Sequence, residues 1–163
     1  GLRRNIKNDN PVIGTYGVNK EGSGDMYYKG SNMLHTIRQL VGDDEKWRRI
    51  LRGLNADFYH QTVTSAQIEN YLSDQTGLDL APIFDQYLRT TMIPVLEYKI
   101  KNNKFTYSYT QVVDGFTMPI RIFVDGKAYW LNPSVDWKTE ELKVDFTTIQ
   151  VDKNFYIETL KTD

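Results

Sequence analysis

The chain has 163 residues, a formal net charge of −1, 40% hydrophobic residues and 25% charged residues. That is one ordinary domain or two small ones with enough apolar material for a core. Near-neutrality lends no support to nucleic-acid or anionic-membrane binding. Cysteine is absent, which excludes disulfides, cysteine zinc sites and a thiol nucleophile. No apolar run approaches the roughly 20 residues of a membrane span.

Residues 1–24 have loop composition, with Asn8, Asn10, Pro11, Gly14, Gly17, Gly22 and Gly24. A loop of that length is unusual inside a compact domain. A helix is predicted over 25–41, where Met26, Gly30, Met33, Leu34, Ile37, Leu40 and Val41 form one stripe. Ser23 or Asp25 is placed to cap it and Gly42 to end it. The second helix starts near Asp43 or Asp44 and buries Trp47, Ile50, Leu51, Leu54 and Phe58. The basic run Lys46, Arg48, Arg49 and Arg52 is spread over more than one helical face and reads as a solvated surface. The third helix begins at Thr64, which forms a capping-box pattern with Gln67, and stops at Gly77. The fourth begins after Asp79, tolerates Pro82 in its first turn, and buries Leu80, Ile83, Phe84, Tyr87 and Leu88. Tight connections between four short helices predict stacked helical hairpins.

Near Pro94 the apolar spacing changes from helical to alternating. Leu96, Tyr98 and Ile100 share one strand face, Asn102 and Asn103 are placed to turn the chain, and Phe105, Tyr107 and Tyr109 share a face of the next strand. A further hairpin turns at Asp125-Gly126, with Pro119 marking an edge position or a bulge. Two more strands are predicted over 142–147 and 149–158. The predicted class is α+β: a loop over 1–24, a helical part over 25–92 and a small antiparallel β-sandwich over 93–163.

Self-contained chemistry is scarce. The two histidines, His35 and His60, lack a second histidine one turn away, and no H-E-x-x-H occurs. Both read as polar residues beside helices. No nucleophile elbow, P-loop or dinucleotide fingerprint is present, and no pair of carboxylates is spaced for acid–base work. Tyr107, Tyr109, Phe123, Tyr129 and Trp130 offer a sugar- or peptide-binding face, although aromatics in alternating strands more often belong to a core.

An ordered series of short motifs carries a resemblance. It runs through Tyr27-Tyr28-Lys29-Gly30, Val41-Gly42-Asp43-Asp44, Trp47 to Leu54, Thr64, Thr76-Gly77-Leu78-Asp79-Leu80, Phe84-Asp85-Gln86-Tyr87-Leu88 and Pro94-Val95-Leu96. Over residues 25–98 it resembles the region after the zinc site of aminopeptidase N-type metallopeptidases, the gluzincins. The resemblance implies that Tyr27, the tyrosine of Y-x-K-G, donates a hydrogen bond to the oxyanion of the tetrahedral intermediate during peptide hydrolysis. A phenol is a neutral donor at pH 7 and suits that task. Tyr28 is a packing residue on the same alignment.

The zinc motif, its glutamate base and the later glutamate ligand normally precede this tyrosine, and none is present; Glu21 is too close to Tyr27 to be that ligand. The expectation is therefore a C-terminal segment of a zinc aminopeptidase: the loop 1–24 displaced from its normal support, the helical end of the catalytic domain over 25–92 and a β-sandwich-like C-terminal domain over 93–163. Zinc belongs to the intact protein, with no metal ligand in this chain. The intact enzyme takes a peptide substrate, while the isolated chain is inactive. The compartment that goes with the resemblance is extracytoplasmic. The alternatives are a protein- or glycan-binding module and an inactive scaffold homologue.

Overall fold

A computed structural model describes residues 2–15, 17, 22–101, 104–141 and 149–163. Among the described residues, four α-helices come first: α1 (Asp25–Val41), α2 (Asp44–Asp57), α3 (Ser65–Thr76) and α4 (Ala81–Arg89). Seven strands follow among the described residues: β1 (Val95–Lys101), β2 (Lys104–Thr110), β3 (Ile120–Val124), β4 (Lys127–Leu131), β5 (Lys138–Glu141), β6 (Gln150–Val151) and β7 (Glu158–Lys161). The class is α+β. No helix among the described residues is long and apolar enough to cross a membrane.

Local signals set the helix ends. The Asp43 side chain accepts from the Lys46 N–H at the start of α2. Thr64 and Gln67 form the full reciprocal capping box at the start of α3. Gly42 and Gly77 end α1 and α3 in the left-handed conformation, at φ 66° and 75°. α1 packs on α2 and α4, and α3 packs on α2 and α4. Between α2 and α3 the Tyr71 hydroxyl donates to the Ile50 carbonyl at 3.1 Å, directly over Gly53. Within the basic run, Lys46 donates from Nζ to the Thr76 carbonyl at 2.9 Å, so it serves the end of α3 rather than solvent alone.

The predicted stripe of α1 needs correction. Met33 and Ile37 are buried, but Met26 and Leu34 are exposed, at 46% and 37%. The buried line instead runs Asp25, Lys29, Met33 and Ile37, four residues apart along one face. Two charged side chains occupy apolar-face positions because specific partners receive them.

The strands form two sheets. The first has the order β5-β2-β1-β7 and the second β4-β3-β6. All pairings are antiparallel except β7, which runs parallel to β1 with Val95 opposite Glu158. Phe105, Tyr107 and Tyr109 from the first sheet and Ile120, Ile122 and Leu131 from the second belong to one continuous buried cluster, which also contains Ile37, Phe84 and Tyr87 of the helices. Asp125 and Gly126 form the β3–β4 turn with φ of 47° and 77°. Both values are positive, as the two-residue turn matching strand twist requires.

Three strand expectations change. Pro119 precedes β3 rather than lying within it, and β3 is the central strand of its sheet. The span 149–158 is not one strand: β6 ends at Val151, the chain turns, and β7 begins at Glu158 in the other sheet. Asp152 causes the break. Its Oδ1 accepts from the backbone N–H of Asn154 at 2.9 Å, and its carbonyl accepts from the Phe155 N–H at 3.0 Å. β5, all polar (KTEE), was not predicted because alternation has no apolar member to mark there. The strand predicted over 142–147 and the turn at Asn102-Asn103 lie outside the described residues, as does Glu21.

Candidate functional site

Tyr27 sits in the first turn of α1 and is 69% exposed. Its phenol has no hydrogen-bond partner among the described residues, while its carbonyl accepts from the Ser31 hydroxyl. Tyr28 is half-buried and lines a polar recess of about 200 Å³ with Asn5, Lys7, Ser23 and Asp25. The adjacent tyrosines therefore occupy different surroundings, one exposed and without a partner among the described residues, the other packed.

The residues around Tyr27 fix the helix start. Gly24 is the N-cap and supplies no side-chain bond. Ser23 takes part of that role, its Oγ accepting from the Asp25 N–H at 3.2 Å. Asp25 is a helical residue rather than the cap, and it is buried. Its two carboxylate oxygens accept the backbone N–H groups of Lys7 at 2.9 Å and Asn8 at 2.6 Å. One turn on, the fully buried Lys29 donates from Nζ to the Thr90 carbonyl at 2.7 Å. Thr90 is the C-cap of α4, so the ammonium lies at the negative end of that helix. Burial pulls the Lys29 pKa below its ordinary value, and the nearby Asp25 carboxylate opposes that shift.

The N-terminal segment is tied down through these groups and others. It carries one turn of 3-10 helix at Leu2–Asn5. Arg3 donates to the Lys153 and Phe155 carbonyls at 2.6 and 2.8 Å and to Asn32 Oδ1 at 3.1 Å. The Ile13 N–H donates to the Leu88 carbonyl at 2.8 Å.

The other sequence candidates fall elsewhere. His35 is half-buried, with Nε2 2.9 Å from Asn154 Oδ1. His60 is exposed just beyond α2 and packs edge-on against Tyr59. The two are not brought together in a metal site, and no group of three or more metal-ligating side chains occurs among the described residues. Tyr107 and Tyr109 are each about 1% exposed. Their hydroxyls donate inward, to Glu140 Oε1 at 2.6 Å and to the Met118 carbonyl at 2.9 Å. They belong to the core, so the flat aromatic face does not form. Trp130 is half-exposed beside an apolar cleft of about 450 Å³ whose walls include Leu80, Ile83 and Met118.

Sequence periodicity missed Lys29 and assigned Asp25 only to capping. The signal available was their four-residue spacing to Met33 and Ile37, the two α1 residues that do enter the core. It also missed Gln86, whose buried carboxamide joins α4 to the segment before β1 and the segment after β2.

No protein-family model matches the sequence. Aminopeptidase N of Lactococcus lactis subsp. lactis is 29% identical over 94 residues, which is 55% of this chain and 10% of that protein. Among solved structures, aminopeptidase A of Legionella pneumophila, crystallised with aspartic acid, superposes with a TM-score of 0.60 at 14% identity, over 85% of this chain and 18% of that one. The fold is thus aminopeptidase-related. The chain spans about a tenth of the curated relative and under a fifth of the structural one.

Proposed function

We propose that the chain is the C-terminal part of a zinc aminopeptidase of the gluzincin type, and that Tyr27 is its transition-state donor. The observation that carries this reading is the contrast at the start of α1: an exposed phenol, without a partner among the described residues, stands on a turn whose neighbours Asp25 and Lys29 are buried and bonded. A donor carried on a firmly held turn and facing solvent is available to a substrate, and one aimed at developing negative charge lowers the barrier more than it tightens binding. As a peptide carbonyl is attacked, its oxygen gains charge and Tyr27 Oη donates to it.

The residues described here do not fit a zinc site, so the metal's ligands and the glutamate base belong to other parts of the intact protein. Similarity to aminopeptidase N over half of the chain supports the peptidase reading. The test is Tyr27→Phe in the intact protein. Turnover falls about 100- to 1,000-fold, while zinc content and the unfolding midpoint stay unchanged. Unchanged turnover would remove Tyr27 from the mechanism.

A further inference from the structure

The start of α1 is held by long-range contacts. α2 and α3 begin on side-chain caps, Asp43 and Thr64, whereas α4, like α1, begins without one. α1 begins on Gly24, with Ser23 Oγ accepting the Asp25 N–H, and two charged groups in its first two turns tie it to distant partners. Asp25 grips the Lys7 and Asn8 amides, 18 and 17 residues away. Lys29 reaches the end of α4, 61 residues away. Both are charges taken out of water, which is unfavourable unless each is well hydrogen-bonded. A neutral donor would also satisfy the Thr90 carbonyl. A buried ammonium there adds attraction to the end of α4 and so makes the link stiffer.

Tyr27 lies two residues after Asp25 and two before Lys29. At about 100° per residue, that places it on the side of α1 opposite the line the two charges share. Its phenol points outward because they point inward. Any roll or lift of the first two turns carries the phenol with it.

We propose that Asp25 and Lys29 are positioning residues for Tyr27, forming a two-sided clamp that fixes the direction of its phenol. This rests on the role given to Tyr27 above. Neither group touches the reacting atoms. Each acts by removing a motion that would misplace the donor, and misplacement by about 1 Å costs about 100-fold in comparable cases.

The test has two parts. In the intact protein, Asp25→Asn and Lys29→Met are each made alone and together with Tyr27→Phe. Asp25→Asn is isosteric and keeps one acceptor oxygen, so the fold is retained. Each substitution alone lowers kcat about 10- to 100-fold with KM within about twofold, and neither lowers it further once Tyr27 has been changed. Equal losses in both backgrounds would overturn the clamp while leaving Tyr27 in place. No loss from Tyr27→Phe alone would instead overturn the function proposed above. In the second part, the 163-residue chain carries 3-fluorotyrosine at position 27. Asp25→Asn then speeds amide exchange at Lys7 and Asn8 and shifts or broadens the fluorine resonance. An unchanged resonance alongside faster exchange would show that the ring does not depend on the clamp, and the proposal falls whatever the activity.

Discussion

The carboxamide of Gln86 accepts the backbone N–H of Val113 at 2.8 Å and, through its amino group, donates to the carbonyls of Met92 and Gln111 at 3.1 and 3.0 Å. One buried side chain on α4 thus ties together the segment leading into β1 and the segment leaving β2. Gln86→Met keeps the volume but leaves one N–H and two carbonyls without that partner. Buried groups left unpaired cost about 1–3 kcal/mol each, with some relief from relaxation. The expected loss is about 2–4 kcal/mol in a urea titration. A loss below about 0.5 kcal/mol would mean that water replaces the amide freely.

Gly53 sets two effects against each other. In a helix interior, alanine is favoured over glycine by about 1 kcal/mol. A Cβ at Gly53, however, would overlap the Tyr71 hydroxyl that bonds to Ile50. Overpacking of that kind costs about 1–3 kcal/mol, and the hydrogen bond is lost as well. Gly53→Ala should therefore destabilise the chain. Gly53→Ala combined with Tyr71→Phe, which removes the hydroxyl, should recover most of the loss. Thermal unfolding of the single and double variants decides it.

Acid stability should depend on Asp152. Burial pushes its pKa upward, but the Asn154 N–H and the Arg121 guanidinium, 2.5 Å away, outweigh that and hold it below the ordinary 3.8. A carboxylate with a lowered folded-state pKa contributes stability that is complete above the unfolded value and is lost as pH falls through the folded one. The Asp152 contribution is therefore intact at pH 6 and declines below about pH 4. Asp152→Asn should lower stability at pH 6 by about 2–4 kcal/mol and reduce the difference between pH 6 and pH 3. Equal slopes in the two proteins would place the acid sensitivity elsewhere.

Alkaline stability should depend on buried phenols. Tyr87 is fully buried and donates to the Tyr156 carbonyl at 2.5 Å, and Tyr109 is nearly as buried. Burial raises both pKa values well above the ordinary 10. A group with a raised folded-state pKa contributes stability that is complete below the unfolded value and is lost as pH rises above it. Stability should hold to about pH 10 and then fall. Tyr87→Phe should flatten that fall while costing about 1–3 kcal/mol at pH 7 from the unpaired Tyr156 carbonyl. Urea titrations at pH 7, 9 and 11 measure both effects.

The sequence by itself determined where α2 and α3 start, where α1 and α3 stop and where the β3–β4 hairpin turns. The Thr64–Gln67 box, Gly42, Gly77 and Asp125-Gly126 each act on backbone groups within a few residues, so short spacing carries the information. It also marked the inward face of β2 at Phe105, Tyr107 and Tyr109, all of which are buried, although Ser108 on the other face is buried as well. Only the tertiary structure decided which face of α1 is buried. Asp25 and Lys29 look like surface residues until the Lys7 and Asn8 amides and the Thr90 carbonyl are brought to them. The same holds for the split of 149–158 between two sheets and for the parallel seat of β7 beside β1. Hydrophobic periodicity registers apolar burial, whereas these placements depend on polar groups meeting partners remote in the chain.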